Sequence, residues 1–149
     1  MYKYEAPKNL LDNNVILVTG AAAGIARVAA KTYAAYGATV ILLGRTVSKL
    51  ENVYDEIENA GFNKPAIVPL NLEGASEKDY QDVANVIEEE FGRLDGILHN
   101  ASHLGSITSI EQYEPAVWNK VMQVNINSAF MLTQPLIHLL KQSDDASVI

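Results

Sequence analysis

Two glycines, Gly20 and Gly24, follow an apolar, β-branched segment of the sequence, Val15–Thr19. A glycine at the end of a strand permits a tight turn, and a second glycine lets backbone N–H groups approach a pyrophosphate at the positive end of the next helix. The small residue Ala26 would let that helix pack closely on the strand. We therefore predict a dinucleotide-phosphate site. Its predicted contact residues are Gly20, Ala22, Ala23, Gly24 and Ile25.

An ordinary strand-to-helix turn is the alternative for this segment. The three alanines between the glycines have no side-chain donors, so the loop would hold phosphate through its backbone alone. A P-loop is excluded, because no Gly-x4-Gly-Lys-Ser/Thr string occurs in the sequence.

A charged residue, Arg45, follows the second apolar segment. An acidic residue roughly 20 residues beyond such a turn binds the ribose 2′-hydroxyl of NAD, whereas an arginine there suits the 2′-phosphate of NADP. No acidic residue occurs between Val40 and Ser48. We predict that NADP(H) is preferred and that NAD(H) is possible, with a solvated surface arginine as the alternative.

Three motifs occur in order along the chain. Thr19–Ile25 resembles the TGxxxGIG signature of the short-chain dehydrogenase/reductase family, with Ala26 in place of the last glycine. His99–Ser102 matches in part the NNAG signature of that family, and Val124–Phe130 matches the VNxxxxF context of its catalytic asparagine. The resemblance covers essentially the whole chain. Within the family, the chain is similar to the YciK-type branch of bacterial oxidoreductases in three short segments, Leu42–Arg45, Leu94–Gly96 and Met122–Asn125.

The resemblance implies further cofactor contacts. Asn71, followed by Leu72, occupies the place of an aspartate that bonds the adenine amino group, although a turn-forming asparagine explains the residue equally well. Asn100, Ala101 and Ser102 would line the ribose and nicotinamide side, with a strand-end turn as the alternative.

Asn125 is the catalytic residue that the resemblance implies. In the family this asparagine distorts its helix and holds a water in a proton relay to a catalytic lysine. A merely structural kink is the alternative, because Asn127, Gln123 and Pro135 lie nearby. An amide in this apolar segment would be costly unless it were hydrogen-bonded.

The serine and the Tyr-x-x-x-Lys pair of the family follow its fifth strand. The only Tyr-x-x-x-Lys in this sequence is Tyr4 to Lys8, which contains Pro7 and precedes the first strand, so we interpret it as chance. We expect residues 1–149 to be an NAD(P)-binding domain that ends before those catalytic residues and is inactive alone. We expect no metal site, because His99 and His103 have no apparent third ligand.

Alternating apolar and amphipathic segments would position these residues. Strands are predicted over Val15–Thr19, Thr39–Leu43, Ala66–Leu70 and Gly96–His99, and Ser147–Ile149 would begin a fifth. The first helix is predicted over Gly24–Tyr36, with Ile25, Val28, Ala29, Thr32 and Tyr36 at helical spacing. The second is predicted over Thr46–Ala60, with Leu50, Val53, Tyr54 and Ile57 inward. A Ser76–Asp79 capping box would open a helix that lasts to Phe91.

This order predicts an α/β fold, a Rossmann-type doubly wound parallel sheet that is incomplete, with about four strands and the start of a fifth. The fourth strand would then lie at an exposed edge of the sheet.

A longer helix is predicted over Glu114–Gln142. Its stretch Val121–Leu140 has no charged residue, but eight of its residues are polar or proline, and we interpret it as a buried helix rather than a membrane span. The apolar residues of this helix cover more of its circumference than the roughly 100° arc that packing against one face of a sheet would bury. We expect a homo-oligomer that forms through this helix.

The 149 residues fit one domain of ordinary composition, with a formal net charge of −7 that argues against nucleic-acid and anionic-membrane partners. There is no cysteine and no signal-peptide pattern at the N-terminus, so a cytoplasmic location is expected. The predicted function is an oxidoreductase of a small-molecule carbonyl/alcohol pair. The alternatives are a non-catalytic nucleotide-binding or interaction module and, less favoured because of Arg45, a methyltransferase.

Overall fold

The computed structural model describes residues 5–149, so Tyr4 of the Tyr4–Lys8 pair lies outside the described residues. The strands are β1 (Val15–Thr19), β2 (Thr39–Gly44), β3 (Ala66–Pro69), β4 (Gly96–Leu98) and β5 (Ser147–Val148). The helices are α1 (Gly24–Ala35), α2 (Val47–Asn59), α3 (Glu77–Phe91), α4 (Pro115–Met122) and α5 (Ser128–Leu140). A short 3-10 turn (Ile110–Gln112) precedes α4, and a π-helical turn (Gln123–Asn127) joins α4 to α5.

The five strands form one parallel sheet in the order β3-β2-β1-β4-β5. Helices α1 and α2 cover one face, where Val18, Val40 and Leu42 point. Helices α3 and α5 cover the other face, where Leu17 and Ile41 point. Adjacent residues of one strand thus enter different cores, which explains the continuous apolar segments in the sequence. The predicted Rossmann-type doubly wound sheet is confirmed.

The sheet edge differs from the expectation. We expected β4 to be exposed, but β5 pairs with it in parallel register, with Ser147 opposite Gly96 and Val148 opposite Ile97. The residue after β5 also takes part in the pairing, because the Ile149 N–H donates to the carbonyl oxygen of Ile97 at 2.9 Å. This short segment therefore satisfies backbone groups of β4. The edge position therefore passes to β5, whose residues are exposed.

The buried face of α1 is another correction. The residues that pack inward are Ala26, Ala30 and Ala34, whereas Ile25 and Val28 are 77% and 65% exposed. Helix α1 follows β1 after a tight turn and lies close to the sheet, so only small side chains fit beneath it. For α2, the prediction is confirmed: Leu50, Val53 and Ile57 are buried and Tyr54 is half-buried.

Helix α3 begins as predicted. The Ser76 N–H donates to Asp79 Oδ2 at 2.7 Å, and the Asp79 N–H donates to Ser76 Oγ at 3.4 Å, which completes the capping box. Gly92 ends the helix with φ of +68°, a left-handed conformation that favours glycine.

The predicted single helix over residues 114–142 is interrupted. The π-helical turn separates α4 from α5, and the Ser128 hydroxyl donates to the Val124 carbonyl oxygen at 2.6 Å within the distorted segment. The inner face of α5 is buried, but Ile126 and Phe130 are 57% and 61% exposed, so the segment is not buried all round. Among residues 5–149, no helix has the length and apolar character needed to cross a membrane.

Candidate cofactor site

A cleft of about 610 Å³ opens where β1, β2, β3 and β4 reach their carboxyl ends. Ligands of open parallel sheets bind in such a crevice. All eleven residues predicted as cofactor contacts line it: Gly20, Ala22, Ala23, Gly24, Ile25, Arg45, Asn71, Leu72, Asn100, Ala101 and Ser102. Eight further lining residues were not predicted from the sequence: Leu43, Gly44, Thr46, Lys49, Leu70, Glu73, His103 and Val124.

The turn between β1 and α1 requires glycine at its first position. Gly20 has φ of +69°, and a Cβ atom there would lie 3.0 Å from the Ala101 Cα. The turn is held to the neighbouring strand by the Ala21 N–H, which donates to the Leu43 carbonyl oxygen at 3.2 Å. Backbone of β1 and backbone after β4 therefore meet at the floor of the cleft, with no room for a side chain between them.

A buried hydroxyl that the sequence analysis did not assign fixes the loop after β4. Thr19 is 1% exposed, and its Oγ1 accepts hydrogen bonds from the N–H groups of Asn100 and Ala101, both at 3.0 Å. The same hydroxyl donates to the Leu98 carbonyl oxygen at 3.3 Å. A threonine at the end of an otherwise apolar strand was the available signal, because a buried hydroxyl needs partners.

Two cations lie at the mouth of the cleft. Arg45 follows β2, and Lys49 lies in the first turn of α2, four residues later. Both are exposed, and neither forms an ion pair with any carboxylate of residues 5–149. Thr46, the N-cap residue of α2, makes no side-chain capping bond. This mouth is therefore a local positive region in an acidic protein.

The loop after β3, the strand beside β2, also lines the cleft. Asn71 is exposed, and its Oδ1 accepts a hydrogen bond from the Glu73 N–H at 3.3 Å, a turn of the kind that the alternative interpretation described. Glu73 Oε1 lies 2.9 Å from Lys120 Nζ on α4. This ammonium group is the main cause that lowers the pKa of the Glu73 carboxyl, and the charges of His103 and Arg45 add to it.

Asn125 does not line the cleft but holds a residue that does. Its Oδ1 accepts from the His103 N–H at 2.7 Å, and its Nδ2 donates to the His103 carbonyl oxygen at 3.1 Å. The expectation that the segment around Asn125 is a buried helix is wrong at this residue, because its side chain is exposed. Its amide oxygen and amide nitrogen are both hydrogen-bonded to the backbone of His103. Asn125 lies in the π-helical turn, so the helix distortion that the resemblance implied is present.

The two histidines near the cleft point to different partners. His99 Nε2 lies 2.8 Å from Thr133 Oγ1 on α5, and burial lowers the pKa of His99. His103 is engaged through its backbone by Asn125. Residues 5–149 contain no group of three His, Cys, Asp or Glu side chains placed to hold a metal ion. The absence of a metal from the protein stays a prediction.

Known proteins resemble both the sequence and this geometry. The family model of the short chain dehydrogenases matches residues 14–149. The chain belongs to the short-chain dehydrogenase family. The chain is 46% identical over 146 residues to the uncharacterized oxidoreductase YciK of Escherichia coli K12, which confirms the predicted similarity to the YciK-type branch. The matched part covers 98% of the chain and 58% of YciK.

Solved structures of short-chain dehydrogenases have the same fold. A short chain dehydrogenase from Salmonella enterica serovar Typhi is 47% identical with a TM-score of 0.95, and the match covers 97% of this chain and 60% of the other. A protein from Escherichia coli CFT073, solved in complex with NADPH, is 47% identical with a TM-score of 0.93, and the match covers 96% and 60%. The chain thus spans less than two thirds of the length of these relatives.

Proposed function

We propose that this chain is the cofactor-binding part of an NADP(H)-preferring oxidoreductase that interconverts a hydroxyl and a carbonyl group of a small molecule. The observation that carries the proposal is the cleft, where eleven residues predicted from the sequence, among them the unpaired cation Arg45, lie together with a second unpaired cation, Lys49. The NADPH complex of the Escherichia coli CFT073 relative supports the same choice of cofactor.

The turn between β1 and α1 suits a pyrophosphate. The first N–H groups of a helix have no intrahelical partner, and they lie at the positive end of the helix dipole. Helix α1 has no acidic residue in its first turn that would compete for these groups. A Cβ atom added at Gly24 would have no other atom within 4 Å, so the space beside this turn is open. Backbone donors at the N-terminus of α1 would therefore bind the phosphates without any charged side chain.

Arg45 and Lys49 would bind the 2′-phosphate of NADP(H). An arginine binds phosphate through two parallel N–H bonds, and a lysine adds a point charge. The free hydroxyl of Thr46 and the N-terminus of α2 lie at the same mouth. NADH lacks the 2′-phosphate, so its binding would be little strengthened by Arg45 and Lys49. These two residues would therefore set the preference for NADP(H) over NAD(H).

The loop after β4 would hold the reacting end of the cofactor. Bound NADP(H) supplies a hydride, and Asn100, Ala101 and Ser102 would orient its ribose and nicotinamide side, as the family resemblance implies. Thr19 fixes the backbone of Asn100 and Ala101, and Asn125 fixes that of His103. In this part of the cleft, the residues of this chain would therefore position the cofactor, and Thr19 and Asn125 would restrict movement of the loop after β4.

A non-catalytic nucleotide-binding module is the second candidate. Within residues 1–149 the one Tyr-x-x-x-Lys is Tyr4 to Lys8, which contains Pro7. A carbonyl reduction needs an acid to protonate the developing alkoxide. We therefore expect residues 1–149 alone to bind NADPH but to show no turnover of aldehydes or ketones.

NADPH oxidation by residues 1–149, beside any longer product of the same gene, distinguishes the two candidates. Turnover by the longer product alone supports the enzyme. Absence of turnover by both forms supports the binding module. Turnover by residues 1–149 at a similar rate would contradict the expectation, because the chemistry would then use residues that we have not assigned.

We also propose that the protein is a homo-oligomer that forms through the segment 114–142. Large apolar side chains remain exposed there, namely Trp118, Ile126, Phe130 and Ile137. Phe130→Asp should shift the sedimentation coefficient of the assembled protein toward the monomer value, because a charge would be buried at the contact. Val86→Asp on α3 is the matched control, since Val86 is 49% exposed on another helix. A wild-type protein that sediments as a monomer at high concentration would contradict the proposal.

A further inference from the structure

Glu73 is the one acidic residue among the described residues that line the cleft. It lies in the loop after β3, whereas Arg45 lies directly after the neighbouring strand β2. A carboxylate in a phosphate-binding cleft opposes its ligand in two ways, because it repels phosphate and can pair with the arginine that phosphate needs.

Lys120 neutralises this carboxylate from outside the cleft. Its ammonium nitrogen lies 2.9 Å from Glu73 Oε1, and the two side chains are 53% and 33% exposed. Lys120 itself belongs to a separate, smaller recess that it shares with Glu73, Asn119 and Gln123. The pair thus joins α4 to the loop after β3 that lines the cleft.

Arg45 and Glu73 line the same cleft and follow neighbouring strands of the sheet, so the two opposite charges share one end of it. Lys120 is the main cause of the lowered pKa of the Glu73 carboxyl, and the positive charge of Arg45 adds to it after that of His103. Arg45 nevertheless forms no ion pair with any carboxylate in the described part of the chain. The arginine stays free while the lysine holds the acid.

We propose that Lys120 is a specificity-determining residue that keeps Arg45 available for a 2′-phosphate by holding Glu73 in an ion pair. The inference rests on the proposed preference for NADP(H). Lys120 would not touch the cofactor, so it is a positioning residue that acts through Glu73. Its loss should weaken the binding of NADPH and leave the binding of NADH nearly unchanged.

The test measures dissociation constants for NADPH and NADH in the protein as its gene encodes it. Lys120→Met should raise the constant for NADPH about threefold to fivefold, the size expected for one partly exposed charge pair, and that for NADH by less than about 1.5-fold. Lys120→Arg should retain the wild-type ratio. Glu73→Gln combined with Lys120→Met should restore it, because no free carboxylate remains. Lys78→Met is the control, since Lys78 pairs with Asp82 on the exposed side of α3.

The outcomes separate this inference from the proposed function. A wild-type protein without any preference for NADPH overturns both. A wild-type protein that prefers NADPH, together with an unchanged preference in Lys120→Met, overturns the role of Lys120 alone. Failure of the double substitution to restore the ratio also overturns it, because Lys120 would then act by some route other than Glu73.

Discussion

Asn125→Leu should lower kcat by about 100-fold in the protein as its gene encodes it, if the proposed oxidoreductase function holds. The substitution removes both hydrogen bonds to the His103 backbone, and a displacement of roughly 1 Å at a reacting centre is sufficient for a loss of that size. It also removes the amide that the family resemblance places in a proton relay. Because the side chain is exposed, the cost in stability should be only about 1 kcal/mol for each hydrogen bond.

Asn127→Ala is the matched control for this substitution. Asn127 lies in the same π-helical turn and is also exposed, but its amide bonds only the side chain of Gln123, at 3.1 Å. Its kcat should stay within about twofold of the wild-type value, by the same hydrogen-bond argument. Steady-state kinetics with NADPH at saturation measures the effect. A folded Asn125→Leu protein with kcat within threefold of wild type would refute the assigned role.

Arg45→Ala should weaken NADPH binding by roughly tenfold to thirtyfold, because each charge-assisted hydrogen bond to phosphate is worth about 1.5–3 kcal/mol before solvent screening reduces it. The dissociation constant for NADH should change by less than about twofold, since NADH has no 2′-phosphate. Lys141→Ala, which removes one positive charge at an exposed position outside the cleft, should change neither constant. Fluorescence titration of the three proteins with both cofactors gives the ratios.

Salt dependence and a substitution of Lys49 give two further checks on the role of Arg45. The difference between the cofactors should shrink as salt is added, because the mouth of the cleft is exposed and its charges are screened. Lys49→Ala should give a smaller loss than Arg45→Ala, since a lysine lacks the paired N–H groups. An unchanged ratio of the two dissociation constants in Arg45→Ala would show that the preference, if present, comes from other residues.

Local signals in the sequence were sufficient for the strands, the glycine turn and the ends of α1, α2 and α3 to within one residue, but not for the interruption between α4 and α5. The capping box of Ser76 and Asp79 spans only four residues, and each partner's role follows from its position in the first turn. Strands covered on both faces appear in the sequence as continuous apolar segments, and the observed strand limits differ from the predicted ones by at most one residue.

The errors arose where packing at a distance decides the outcome. The inner face of α1 consists of alanines because the helix lies close to the sheet, and the spacing of Ile25 and Val28 carries no information about that distance. Thr19 was missed for a related reason, since its partners at residues 98–101 are about eighty positions away in the sequence.

The candidate site shows the same division. The phosphate turn and Arg45 could be named from residue types and spacing because each lies directly after a strand. Asn71, Asn100, Ala101, Ser102 and Asn125 were named from the family resemblance. Lys120 could not, because its contact with Glu73 depends on how α4 approaches the loop after β3. Likewise, the partner of Asn125 is the backbone of His103, and a backbone group has no signature in the sequence.

The preference of the wild-type protein for NADPH over NADH tests the account most directly. Titration of one protein preparation with each cofactor at the same low ionic strength gives two dissociation constants. We predict that the constant for NADPH is smaller by at least about tenfold, the value of one net charge-assisted contact to the 2′-phosphate. Equal constants, or tighter binding of NADH, would contradict the assignment of Arg45 and with it the proposed NADP(H) preference.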